Sequence, residues 1–384
     1  MDVKIAQIND LPLLETSSGN IVLFHPHIPA GAAREVVDTL HSRWIGQGPK
    51  VEEFERRFSD RFADGRQAIA VGSGTDALHL AYILAGIGPG DEVVTPVFTC
   101  TATNIPFLYM GAKVVFADIQ AHTLNIDPQS VAEKVSDRTK AIVCVHYGGL
   151  PCDMDELRAI ADQRGVPIIE DAAHAVGGTY RGRSVGAMSE FTMFSFQAIK
   201  HITTGDGGLL TLGDPRLTEK ARRIRWFGID RTAKQQGIWE NDITEIGYKY
   251  QMTDLSASLG LAALDEIDET LTLRKALFQR YVQGLRGTPG ITVLGAAYED
   301  REHAAWLCTV LAERRSDLQR RLRERQIESG LVHFRNDRYS IFAQSRGVFP
   351  QMDAVEDRYL VLPLHTKLTV GDVDRVCQEI RAGW

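Results

Sequence analysis

Seven short apolar runs, separated by stretches of helical periodicity, constrain this chain more than any other feature. They are QAIAVG (67–72), EVVTP (92–96), KVVFAD (113–118), KAIVCVHY (140–147), VPIIED (166–171), FTMFSF (191–196) and GGLLTL (207–212). Each is too short for a core helix, and most are rich in Val and Ile, which predicts buried strands. Between them, TDALHLAYILAGIG (75–88) and CDMDELRAIADQRG (152–165) carry helical patterns. The second opens on Asp153 or Asp155 and closes on Gly165, sound cap chemistry at both ends. Continuous apolar strands alternating with helices predict a mostly parallel sheet covered on both faces.

From about residue 253 the pattern turns helical, through TDLSASLGLAALDEIDETLTLRKALFQRYVQGL. A strand near AAWLCTVLA and helices near 315–329 and 369–382 follow. A chain of 384 residues suits one large and one small domain. The expected class is α/β: a large sheet domain over residues 1–264, a long connecting helix, and a small α+β domain over 265–384.

The formal charge of −7 argues against a nucleic-acid binder. The opening MDVKIAQIND lacks the cationic segment and apolar run of a secretory signal, and no stretch of about 18 uncharged apolar residues predicts a membrane span. Cys100, Cys144, Cys152, Cys308 and Cys377 are scattered, odd in number and without Cys-x-x-Cys spacing. That pattern fits reduced cytoplasmic thiols better than disulfides or a zinc site.

Ligands of such sheets bind outside the carboxyl ends of the strands. Three strand ends carry polar chemistry here. The first runs into GSGTDAL, where the N–H groups of Gly74 and Thr75 and the helix dipole make an anion site suited to phosphate. No Gly-Lys-Ser/Thr follows, which excludes a P-loop. The fifth ends at Asp171, and the sixth runs through Ser195 to Lys200. Each has a plainer reading: GSGT as a turn and N-cap, Asp171 as a helix cap, Lys200 as a snorkelling surface lysine. Yet Lys200 sits between apolar FSFQAI and turn-forming TTGDGG. A partly desolvated lysine has a lowered pKa and attacks carbonyl carbon. An anion cradle, a carboxylate for a cationic ring nitrogen and an aldehyde-binding lysine together match the requirements of pyridoxal phosphate (PLP).

Motifs along almost the whole chain then carry a family resemblance. WIGQGPKVEEFERRF, VGSGTDALHLAYILAGIGPGDEVVTPVFTCTATNIPFLYMGAKVVFADI, IIEDAAHAVGGTYRGRSVGAMSEFTMFSFQAIKHITTGDGGLL, IGYKYQMTDLSASLGLAAL and LPLHTKLT occur in order. The chain resembles the DegT/DnrJ/EryC1/StrS sugar aminotransferases, which have the aspartate aminotransferase-like fold of PLP-dependent transferases, fold type I. The resemblance implies that Lys200 binds the cofactor aldehyde and shuttles the proton, and that Asp171 pairs with the ring nitrogen. It implies that Gly74, Thr75 and Ser195 hold the phosphate and that His174 contacts the ring hydroxyl; a lone histidine is as readily structural. It also implies a homodimer in which GYKY reaches the partner's phosphate, with Lys249 in place of the commoner Asn.

Two other departures matter. Cys100 stands where an aromatic residue often stacks on the cofactor, leaving Phe98 or smaller groups for that task; a reactive thiol is the sharper alternative. VHFRNDRYSIF replaces the usual His-Tyr/Phe-Pro segment, and Arg335 and Arg338 either grip a substrate diphosphate or carboxylate, or belong to a solvated basic loop. His201 follows the lysine, but the register places lysine, not histidine, at the reactive position, which favours transamination over the family's dehydratases. The expected reaction moves nitrogen from an amino acid, L-glutamate by family habit, to a nucleotide-linked keto sugar. The alternatives are a deoxysugar dehydratase on the same cofactor and a non-catalytic PLP-binding regulator.

Overall fold

The computed structural model describes residues 19–240 and 242–384; the opening MDVKIAQIND lies outside the described residues. All seven apolar runs form strands of one sheet: β1 (Gln67–Val71), β2 (Glu92–Pro96), β3 (Lys113–Ala117), β4 (Thr139–Val145), β5 (Ile168–Asp171), β6 (Phe191–Ser195) and β7 (Gly208–Leu212). Their order is β1-β7-β6-β5-β4-β2-β3. Only β7 runs against its neighbours; every other pairing in the sheet is parallel.

The period of two along a strand sorts its side chains onto two faces. Ile69, Val71, Met193 and Leu210 join the core that contains Leu78, Leu80 and Tyr82 of the helix Gly74–Leu84. Ala68, Ala70, Phe194 and Leu209 join a second core with Phe54 and Phe58 of the helix Pro49–Phe62. Burial on both faces explains why these strands read as unbroken apolar runs.

Helix ends follow local chemistry. Met154–Arg164 stops at Gly165, whose φ of 64° is the left-handed conformation glycine tolerates. Asp153 is its N-cap residue, without a side-chain cap bond. The expected long connecting helix is instead two helices, Asp254–Asp265 and Ile267–Leu285, separated at Glu266. The Glu266 carboxylate accepts the Ala30 N–H at 2.9 Å and lies 3.1 Å from His27 Nε2, so a distant N-terminal segment anchors the break.

The helix Ile267–Leu285 contributes to two cores. Leu271 packs with Phe54 and Phe58, whereas Leu277, Phe278 and Tyr281 pack with a three-stranded antiparallel sheet. Its strands are β8 (Ile291–Val293), β9 (Cys308–Ala312) and β10 (Tyr359–Leu362), in the order β8-β9-β10. The segment before β10 reaches back to the large sheet. Phe334–Arg335 pairs with Phe98–Thr99, and the Asp118 carboxylate caps the helix Pro350–Val355 through the N–H groups of Gln351 and Met352. Among the described residues no helix is long and apolar enough to cross a membrane.

Candidate active site

The sheet register brings the first and sixth strand ends together. Gly208 pairs with Val71 on one side and Ser195 on the other, so β7 bridges the ends of β1 and β6. Two glycines permit the close approach. A Cβ on Gly74 would lie 3.0 Å from Ser195 Cβ, and one on Gly208 would lie 2.3 Å from the Ser73 carbonyl oxygen. Ser73 caps the helix by accepting the Asp76 N–H at 3.0 Å. Earlier N–H groups of the first turn have no acceptor within their helix, and Ser195 Oγ lies beside them. The donors and the dipole suit a phosphate.

Asp171 closes β5 with 4% exposure. Burial raises its carboxyl pKa, against the Thr103 hydroxyl, which donates to Oδ2 at 2.8 Å, and the Ala173 N–H, which donates to Oδ1 at 3.1 Å. Thr99 and Thr103 share a hydroxyl hydrogen bond of 2.9 Å, which extends this orienting chain. On the other side of the strand, Glu170 Oε2 lies 2.8 Å from His146 Nε2, and His146 Nδ1 accepts the Cys152 N–H at 3.1 Å. This buried polar set ties β4 to β5 beneath the site.

Burial lowers the Lys200 ammonium pKa to about 8, opposed by the nearby Asp171 and Cys100. Its Nζ lies 3.7 Å from the centroid of the Trp306 ring. Trp306 stacks on His174 at 3.8 Å and 14°, and its Nε1–H donates to the Ile199 carbonyl at 3.0 Å. His174 Nδ1 accepts the Gly148 N–H at 3.3 Å, and its Nε2 faces His333 Nε2 at 3.3 Å. A neutral His174 therefore carries its proton on Nε2. Burial, with Lys200 and His333 nearby, keeps its pKa well below the ordinary histidine value.

Gly74, Ser195, Asp171, His174 and Lys200 thus occupy one rim, with Thr75 half-buried in the same first helical turn. The remaining expected residues lie differently. Lys249 is exposed, with Nζ 5.3 Å from the Phe227 ring, and does not point into this cluster within one chain. Arg335 sits inside an ion-pair cluster rather than facing the rim's open side chains as a free cation. It is 2% exposed and bonds to Asp337, to Asp353 and to Glu356 at 2.7 Å. Arg338 is exposed and lies 3.3 Å from the same Glu356. Phe98 does not replace the aromatic face missing at Cys100: its ring is buried against Tyr147 and Tyr359 at 5.2 and 4.9 Å. His201 turns away, its Nε2 lying 2.7 Å from the Ala304 carbonyl oxygen. Trp306, His333 and Thr103 were missed in the sequence because distant segments bring them here without any local motif.

The residue set fits PLP. The rim offers phosphate donors where a side chain on Gly74 would clash, a buried carboxylate, and an amine whose pKa is close to neutrality. Comparison with known proteins agrees. The model of the DegT/DnrJ/EryC1/StrS aminotransferase family matches residues 26–381. The spore coat polysaccharide biosynthesis protein SpsC of Bacillus subtilis is 37% identical over 371 residues, covering 93% of this chain and 95% of SpsC. The sugar aminotransferase CalS13 from Micromonospora echinospora has a TM-score of 0.90 and 33% identity, over 95% of this chain and all of that one. The PLP form of Spr1654 from Streptococcus pneumoniae, described as a putative sugar aminotransferase, has a TM-score of 0.89 and 31% identity, over 94% of this chain and 98% of that one. This chain belongs to the DegT/DnrJ/EryC1/StrS aminotransferase family and is a PLP-dependent aminotransferase of fold type I.

Proposed function

We propose that this enzyme transfers an amino group from L-glutamate to a nucleotide-linked keto sugar, as a cytoplasmic homodimer. The observation that carries the reading is the half-buried Lys200, whose amine desolvation lowers to a pKa of about 8, on the same rim as buried Asp171. The sugar aminotransferase title of CalS13 and the polysaccharide role named for SpsC support a sugar acceptor.

When bound, PLP supplies an aldehyde that captures the amino group and a ring that withdraws electrons from it. Gly74 and Thr75 N–H and the Ser195 hydroxyl hold the phosphate in this reading. Asp171 keeps the ring nitrogen protonated, and Thr103 holds the carboxylate in place. Neutral His174 would offer to the ring hydroxyl the Nε2–H that here faces His333. Lys200 would hold the cofactor aldehyde through Nζ and would serve as the general acid–base that moves the donor's α-proton at that atom.

Lys249 is exposed on a segment that bridges to Trp226 and runs beside the end of β1, and we assign it to the phosphate of the partner's site. Trp239 at 73% and Ile246 at 79% exposure on the same segment support a dimer that covers them.

The test is an absorption spectrum of the PLP-loaded enzyme before and after L-glutamate. Conversion of the lysine-bound band to that of the amine form, followed by nitrogen transfer to a nucleotide keto sugar, is the expected result. Lys200→Ala should bind the amine form of the cofactor yet lose turnover by at least about a hundredfold. A bound cofactor that ignores glutamate removes this donor from the reading. A keto-deoxy product without nitrogen would identify a dehydratase.

A further inference from the structure

A second polar cavity, of about 470 Å³, lies beside Gln67 and Ala68, at the opposite end of β1 from Gly74. Six arginines and five carboxylates line it. Four of the arginines, Arg56, Arg222, Arg223 and Arg225, have carboxylate partners. Arg66 and Arg231 bond instead to backbone carbonyls, those of Ser189 and Gln47. Neither has an ion pair among the described residues.

Arg225 is 5% exposed, and although its Nη1 binds Glu55, its Nε has no hydrogen-bond partner among the described residues. A buried guanidinium N–H without an acceptor is costly. Most acids on the wall are already engaged: Glu55 by Arg225, Asp60 by Arg56, Glu219 by Arg222, and Asp230 by the Ala233 N–H. Glu52 is the exposed remainder. Burial lowers the pKa of Arg66, and burial together with neighbouring Arg225 lowers that of Arg231. The unmet requirement of this wall is therefore for acceptor oxygens.

We propose that this cavity binds a phosphate-class dianion, free phosphate or a phosphomonoester, held by Arg66, Arg225 and Arg231. Guanidinium forks match the oxygen spacing of such groups. The cavity is also wired to the catalytic rim. Arg225 Nη1 donates to the Ala70 carbonyl at 2.9 Å, the Arg225 carbonyl accepts the Tyr250 N–H at 3.0 Å, and the Tyr250 carbonyl accepts the Gly72 N–H at 2.7 Å. An anion that orders Arg225 thereby braces the strand end that leads to Gly74.

The experiment titrates the PLP-loaded enzyme with inorganic phosphate and with glucose 6-phosphate, by calorimetry and thermal melting, against chloride at matched ionic strength. PLP then occupies its own phosphate site. Saturable binding is expected, with a rise in melting temperature of about 2 °C or more. Arg231→Gln and Arg66→Gln should each weaken it about tenfold, and Arg231→Lys less, with the cofactor spectrum unchanged in all three. The tighter of the two ligands identifies the source of the anion. Absence of saturable binding in the native enzyme, or equal binding by the glutamine variants, would overturn the proposal.

Discussion

Lys200 Nζ sits 3.7 Å from the centre of the Trp306 ring, a cation–π contact that joins the nearby Asp171 and Cys100 in favouring the charged amine. A cation over an aromatic face is stabilised as the charged species, whereas burial favours the neutral one. Burial wins here, since the pKa falls from 10.5 to about 8.

That balance sets a pH dependence. Only the uncharged amine attacks the cofactor aldehyde, so PLP capture by the apoenzyme should accelerate as pH rises, with a midpoint near 8. Trp306→Leu removes stabilisation of the charged form and should move the midpoint down. A cation–π contact of about 1 kcal/mol corresponds to roughly 0.7 pH units. Stopped-flow absorbance across pH measures both, and an upward shift in the variant would contradict the assignment.

Asp171→Asn should retain PLP but lose catalytic rate by at least about a hundredfold, because the ring nitrogen loses its anionic partner. Thr103→Val removes only the hydroxyl that donates to Asp171 Oδ2. Its expected cost is about tenfold in kcat with little change in KM, the worth of one hydrogen bond to a charged group. Steady-state kinetics on both variants check the order of the two effects.

At Gly74 the limiting contact is steric. An added Cβ would lie 3.0 Å from Ser195 Cβ and 3.3 Å from Met193 Sδ. Gly74→Ala should force the helix start away from β6 and weaken cofactor retention by about tenfold, an overpacking cost of about 1–3 kcal/mol. Equilibrium dialysis against PLP gives the number. Unchanged affinity would mean that the phosphate contacts lie elsewhere.

Arg335→Met tests structure rather than catalysis. It leaves Asp337, Asp353 and Glu356 without their shared cation, and Asp337 is itself buried. Breaking such a group should cost about 3 kcal/mol in denaturant unfolding, while KM in the folded enzyme stays close to native. A large rise in KM at unchanged stability would restore a substrate role for this arginine.

The amino-acid sequence alone determined the seven sheet strands, because apolar runs of strand length bounded by polar turns are local signals. It also placed Gly74, Asp171, Ser195 and Lys200 at strand ends, and the parallel topology turns strand ends into neighbours. Gly165 marked its helix end for the same local reason, a backbone conformation that few other residues accept. Tertiary structure decided the rest. The helix breaks at Glu266 because His27 and Ala30 approach its carboxylate from 236 or more residues away. Arg335 is drawn into an ion-pair cluster because Asp353 and Glu356, 18 and 21 residues on, fold back onto it. Trp306 covers Lys200 only because a segment more than 100 residues later crosses the rim. Local periodicity encodes which residues a strand or helix presents. What those residues meet depends on long-range packing, which no window of sequence contains.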